Sequence, residues 1–215
     1  MRLNRSSALL LVLLLGVLSG CVSNRLKGPN PSAQGPAWIA DGLSGEVAPL
    51  ELRHRVLLIG DTGVFLEEDP TLASLGRWAA AAPSSSVLFL GDNVYNEGLV
   101  EDDRERGQKV LTQLLESTTA RKIFIPGNHD WGFSPKGQNR DAILNQQTFI
   151  DAWPDSSAEF VPRDGCIGPE ARLLRRADGA GRAIVLLALD PTPWINPRLR
   201  EACPRPETRA SYLAL

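Results

Sequence analysis

Short apolar runs alternate with longer amphipathic stretches through the middle of the chain, and that alternation predicts a layered α/β fold. Residues 56–59, 87–90 and 123–125 are runs of aliphatic and aromatic side chains, short enough to be buried strands. Between the first two, apolar groups recur at helical spacing over 70–82, at Leu72, Leu75, Trp78 and Ala79, until Pro83 and three serines end the element. Residues 104–118 repeat the period, with Val110, Leu111, Leu114 and Leu115 as the inner face. Strand and helix recur at roughly 30-residue spacing, which argues for β-α-β units and a largely parallel sheet. Beyond Asp130 the pattern loosens into a helix over 141–153, a Gly- and Pro-rich loop over 160–169, and a buried strand over 183–189 that ends at Asp190. The start of a further helix is expected over 207–215.

Each of the three strands runs into polar chemistry. The first is followed by Gly60-Asp61-Thr62-Gly63, the second by Gly91-Asp92-Asn93-Val94-Tyr95, and the third by Pro126-Gly127-Asn128-His129-Asp130. In an open parallel sheet, ligands gather beyond the carboxyl ends of the strands, so these segments are expected to assemble one site. Two carboxylates in one crevice repel, and a divalent metal pair is the natural counter-charge. Carboxylate, amide and phenolate oxygens suit hard or borderline ions such as Fe, Mn or Zn better than soft copper. His54 matches no such pattern and reads as a surface histidine, and Asp190 reads as the cap of the turn after it.

Composition narrows the setting. The chain has 215 residues, 43% of them hydrophobic and 22% charged, enough for one domain. The formal net charge is −2, a poor match to nucleic acid, and no nucleic-acid partner is expected. At the N-terminus, Arg2 and Arg5 precede an apolar run over 8–18, too short to span a bilayer but suited to a signal-peptide core. Leu18-Ser19-Gly20-Cys21 then resembles a bacterial lipobox, which implies cleavage after residue 20 and lipid on the Cys21 thiol. Residues 22–50, interrupted by Pro29, Pro31, Pro36 and Pro49, read as a tether between that anchor and a domain over 51–215. The expected location is the bacterial cell envelope, on the exported side of a membrane. In that oxidising setting Cys166 and Cys203 can form a disulfide or remain two thiols.

The three polar segments, in that order and each after a hydrophobic strand, resemble the first three motifs of the calcineurin-like metallophosphoesterases. Asp61-Thr62-Gly63, and Tyr95 three positions after Asp92, are similar to the purple acid phosphatase-like branch. The resemblance implies a metallo-dependent phosphatase-like sandwich of mixed and parallel sheets flanked by helices, of which this chain carries the N-terminal part. It also implies two metal ions, with Asp61 and Tyr95 on the first, Asp92 bridging both and Asn128 on the second. His129 would stand near the substrate and stabilise the transition state or protonate the leaving oxygen. The implied reaction is in-line attack of a metal-activated hydroxide on a small-molecule phosphate ester. That family completes its metal shell with three further histidines, whereas this sequence holds only His54 and His129. A portion of a longer enzyme is therefore expected, with a shortened, inactive surface-binding module as the alternative.

Overall fold

The computed structural model describes residues 52–132, 138–155, 157–177, 183–201 and 203–205. The expected signal peptide, the expected lipidation at Cys21, the expected tether and the helix expected over 207–215 lie outside the described residues. Four parallel strands form the central sheet in the order β1 (Arg55–Ile59), β2 (Ser85–Phe89), β3 (Arg121–Phe124) and β4 (Ala158–Phe160). Helices α1 (Pro70–Ala80), α2 (Arg104–Glu116) and α3 (Arg140–Asp151) connect them. The mixed α/β class and the parallel sheet flanked by helices agree with the sequence.

Local chemistry places the helix starts. Asp69 caps α1, its Oδ1 accepting from the N–H groups of Thr71 (2.7 Å) and Leu72 (3.1 Å), and Pro70 follows in the first turn. Asn139 caps α3 through the N–H of Asp141 at 2.9 Å. Alternation along the strands then sorts side chains onto two faces. Val87, Phe89, Phe124 and Phe160 point to the helices, where Val110, Leu111, Leu114 and Leu115 of α2 meet them in the main core. Phe89 and Phe124 stack with ring centroids 4.5 Å apart. Trp78 departs from its expected inward position: it is 59% exposed, with the Arg55 guanidinium 5.3 Å from its ring centroid.

The opposite face holds Leu88, Ile123 and Val161, and a second, antiparallel layer covers part of it. That layer pairs β5 (Glu170–Arg175) with β6 (Ile184–Ala188), Ala171 opposite Leu187 and Leu173 opposite Val185. The strand expected over 183–189 is therefore present but not wholly buried. Leu186 and Ala188 pack inward, while Val185 and Leu187 are 56% and 61% exposed, because only one side of the hairpin meets the sheet. β5 lies beyond the loop expected over 160–169. Short helices α4 (Thr192–Ile195) and α5 (Pro197–Glu201) follow β6. Cys166 and Cys203 are disulfide-bonded, their Cα atoms 5.1 Å apart across a sequence separation of 37. Among the described residues no helix is long and apolar enough to cross a membrane.

Candidate functional site

The loops after β1, β2 and β3 meet because their glycines let backbones touch. A Cβ on Gly63 would fall 2.5 Å from the Tyr95 nitrogen and 2.7 Å from the Asp92 oxygen. Instead, the N–H of Tyr95 donates to the Gly63 carbonyl at 2.9 Å, joining the first loop to the second. Gly127 does the same service for the third loop, since a Cβ there would meet Asp92 Oδ1 at 2.3 Å. Asp61 and Asp92 both adopt left-handed backbone, with φ of 57° and 53°. Aspartate tolerates that region better than most residues, but the conformation still costs of order 1 kcal/mol and must be imposed by its surroundings. The strand-to-loop reversals thus aim two carboxylates into the space beyond the sheet.

Tyr95 joins them. Its hydroxyl lies 2.7 Å from Asp61 Oδ1 and 3.1 Å from Asp92 Oδ2, so one phenol proton is shared among three converging oxygens. The hydrogen bond to Asp61, burial and the charge of Asp92 push the phenol far above its ordinary value. Neither Asp61 nor Asp92 has a lysine or arginine partner among the described residues.

The third loop adds an amide, an imidazole and a clamp. Asn128 is exposed at its tip. The N–H of His129 donates to Asp92 Oδ1 at 3.0 Å, and its ring stands edge-on to Tyr95 with centroids 4.7 Å apart. His129 Nδ1 is 2.7 Å from the Asn96 carbonyl oxygen. A carbonyl can only accept, so Nδ1 carries the proton of this hydrogen bond.

Asp130, to which the sequence assigned no role, is the most buried carboxylate of the site. It accepts from the N–H groups of Asn93 (2.9 Å), Val94 (3.1 Å) and Gly127 (2.8 Å), and from the Asn93 amide at 3.1 Å. One side chain therefore fastens the second loop to the third. Burial pushes its carboxyl up to about 7, with the charge of Asp92 adding and the N–H donors pulling the other way. The available signal was position: an acid between the histidine and a fully buried Trp131 is poorly placed for solvent.

Asp190 links this loop to the end of β6. It accepts from the Trp131 indole N–H at 2.8 Å and, as the expected turn cap, from the N–H of Thr192 at 2.9 Å. Burial raises it to about 6. His54 stands apart at the start of β1, between Ser84 Oγ (2.8 Å) and Ser86 Oγ (3.1 Å). The structure thus brings together Asp61, Asp92, Tyr95 and His129, places Asn128 beside them in sequence, and leaves Cys166 and Cys203 as a link elsewhere.

As a place for cations, the oxygen set fits one hard ion. Asp61, Asp92 and Tyr95 converge within hydrogen-bonding distance, and a cation there would take the place of the shared proton. Among the described residues no three His, Cys, Asp or Glu side chains come together as a metal cluster.

A family model described as calcineurin-like phosphoesterase matches residues 54–195. No curated protein and no solved structure matches the chain.

Proposed function

The chain belongs to the calcineurin-like phosphoesterase family, and from that premise we propose that it is a metal-dependent hydrolase of a small-molecule phosphate ester. The observation that carries the proposal is the pair of left-handed aspartates at adjacent strand ends, bridged by a phenol and, among the described residues, paired with no lysine or arginine. Asp61 and Tyr95 would hold a first ion, Asp92 would be shared, and Asn128 would reach a second. Fe, Mn and Zn are the candidate metals. Such ions supply charge for the phosphoryl oxygens and lower the pKa of bound water.

The remaining steps belong to the protein. Tyr95 would release to solvent the proton it shares with Asp61 and Asp92 if the three oxygens held a cation. His129, oriented by Asn96 through Nδ1, presents Nε2 to the leaving oxygen as a proton donor. Asp130 does not touch substrate in this scheme; it holds the second and third loops in register. Asp61-Thr62-Gly63 and Tyr95 support the purple acid phosphatase-like branch, and Leu18-Ser19-Gly20-Cys21 supports lipid anchoring of an exported protein to the cell envelope. A non-catalytic surface module is the second reading, favoured by the absence, among the described residues, of a group of three His, Cys, Asp or Glu side chains that could hold a metal.

Titration calorimetry with Mn²⁺ or Zn²⁺ separates these readings. One ion should bind, with Asp92→Asn and Tyr95→Phe lowering affinity by about a hundredfold, at the upper end of losses seen even for supporting residues. Turnover of a chromogenic phosphate ester by the 215-residue chain should be weak, because the second ion is poorly held. Any turnover should vanish in Asp92→Asn. Absence of metal binding, or binding indifferent to both substitutions, would sink the hydrolase reading.

A further inference from the structure

A cleft of about 340 Å³ adjoins the site on the β1 side, and Asp61 is one of its lining residues. Its walls are Ile59, Val64, Leu66 and Pro70. Val64 and Leu66 are 54% and 48% exposed, an uncovered aliphatic pair beside a group of carboxylates. The segment that carries them is anchored from behind. Gln113 of α2 accepts from the Leu66 N–H at 3.3 Å and donates to the Leu66 carbonyl, while Lys109 Nζ sits 3.9 Å from the centroid of the Phe65 ring. The backbone of this wall is therefore held by α2, and its two outward aliphatic side chains are presented to the cleft.

Charge decides what would fit. Among the described residues, no lysine, arginine or histidine lines the cleft. Asp69, the other acid there, is engaged in capping α1. A second phosphate, a carboxylate or a polyphosphate chain would meet no cation, whereas an uncharged apolar group would remove aliphatic surface from water at no electrostatic cost. The volume lies within the range of ordinary small-ligand sites, about 300–1,000 Å³.

We infer that this cleft receives the alcohol portion of the ester, and that Val64 and Leu66 select esters of neutral, apolar alcohols, aryl or short alkyl, over those of charged or polyhydroxylated ones. The inference rests on the hydrolase reading of the adjoining aspartates and names the substrate class of that site.

The test uses the full chain, ¹⁵N-labelled, titrated separately with phenol and with glycerol. Phenol should shift the amide signals of Thr62, Val64, Leu66 and Thr71, and glycerol should leave them in place. Leu66→Glu puts a carboxylate at an exposed position without touching the Gln113 contacts to the backbone, and should weaken the phenol response about tenfold or more, as mismatched pocket groups do. Val64→Glu should act in the same direction. Absence of phenol shifts at these amides, equal shifts with glycerol, or an unchanged response in both variants would overturn the inference whether or not the chain cleaves esters. Phenol shifts retained while the metal titration at Asp61 and Asp92 fails would overturn the hydrolase reading and, with it, the assignment of this cleft to a substrate.

Discussion

The two ends of the central sheet carry different electrostatic solutions. At the amino end, Lys122 is fully buried at the start of β3, yet its ammonium meets the Thr118 carbonyl at 2.9 Å, Ser157 Oγ at 3.0 Å and Asp155 at 3.5 Å. His54 is likewise held between two serines. At the carboxyl end, Asp61 and Asp92 share the proton of Tyr95, and Asp92 alone accepts the N–H of His129, with no lysine or arginine partner for either among the described residues. The same strands thus end in a satisfied cation on one side and in uncompensated anions on the other. Burial of a charge is tolerated where the protein supplies its partners. Asp61 is exposed and Asp92 partly so, which leaves both open to water, and the carboxyl end is where we propose that a ligand binds.

The largest effect is expected from the group that holds the carboxyl end together. Asp130→Ala should leave the N–H groups of Asn93, Val94 and Gly127 without their acceptor, at about 1–3 kcal/mol for each buried donor. A loss of ~4 kcal/mol in urea unfolding is expected, together with weakened metal binding. A change below about 1 kcal/mol would mean that the two loops hold each other without the clamp.

Asp190 gives the next effect, and its sign follows from burial. Its folded value, about 6, lies above the ordinary 3.8, so the native state binds the proton more tightly than the unfolded chain. The stability from this group is fully present below about pH 4 and is lost as pH rises through about 6, a span worth ~3 kcal/mol at 1.36 kcal/mol per unit. Asp190→Asn should flatten that part of a stability–pH curve, leaving the contribution of Asp130 extending toward pH 7. An unchanged curve would show that Asp190 is no more strained as an anion folded than unfolded.

The smallest effect is expected at the amino end. His54→Ala removes two partly exposed hydrogen bonds, and about 1 kcal/mol or less should be lost, with no change in metal affinity. A fall in metal affinity would break the contrast, because it would couple two ends that the structure keeps separate.

The central helices were legible because their apolar periods match their burial, whereas the first strand, expected to be buried, leaves Val56 and Leu58 37% and 63% exposed. The inner face expected for α2, at Val110, Leu111, Leu114 and Leu115, is buried as a unit. The three strand ends could be located because glycine followed by Asp61, Asp92 or Asn128 comes just after each apolar run. β5 was not legible: Glu-Ala-Arg-Leu-Leu-Arg has little apolar alternation of its own and becomes a strand by pairing with β6. Trp78 was misplaced because helical spacing defines a stripe but not its edges, and neighbouring Arg55 offers the ring an alternative to the core.

By itself, the sequence determined which residues could carry chemistry and in what order the strands would present them, since periodicity and glycine placement are local properties. Tertiary structure alone decided that Tyr95 would bridge two aspartates, that Asp130 would turn inward to fasten two loops, and that Val64 and Leu66 would face a cleft. Those outcomes depend on contacts between residues about 35 to 50 positions apart. Such distances are set by chain packing, which no local pattern records.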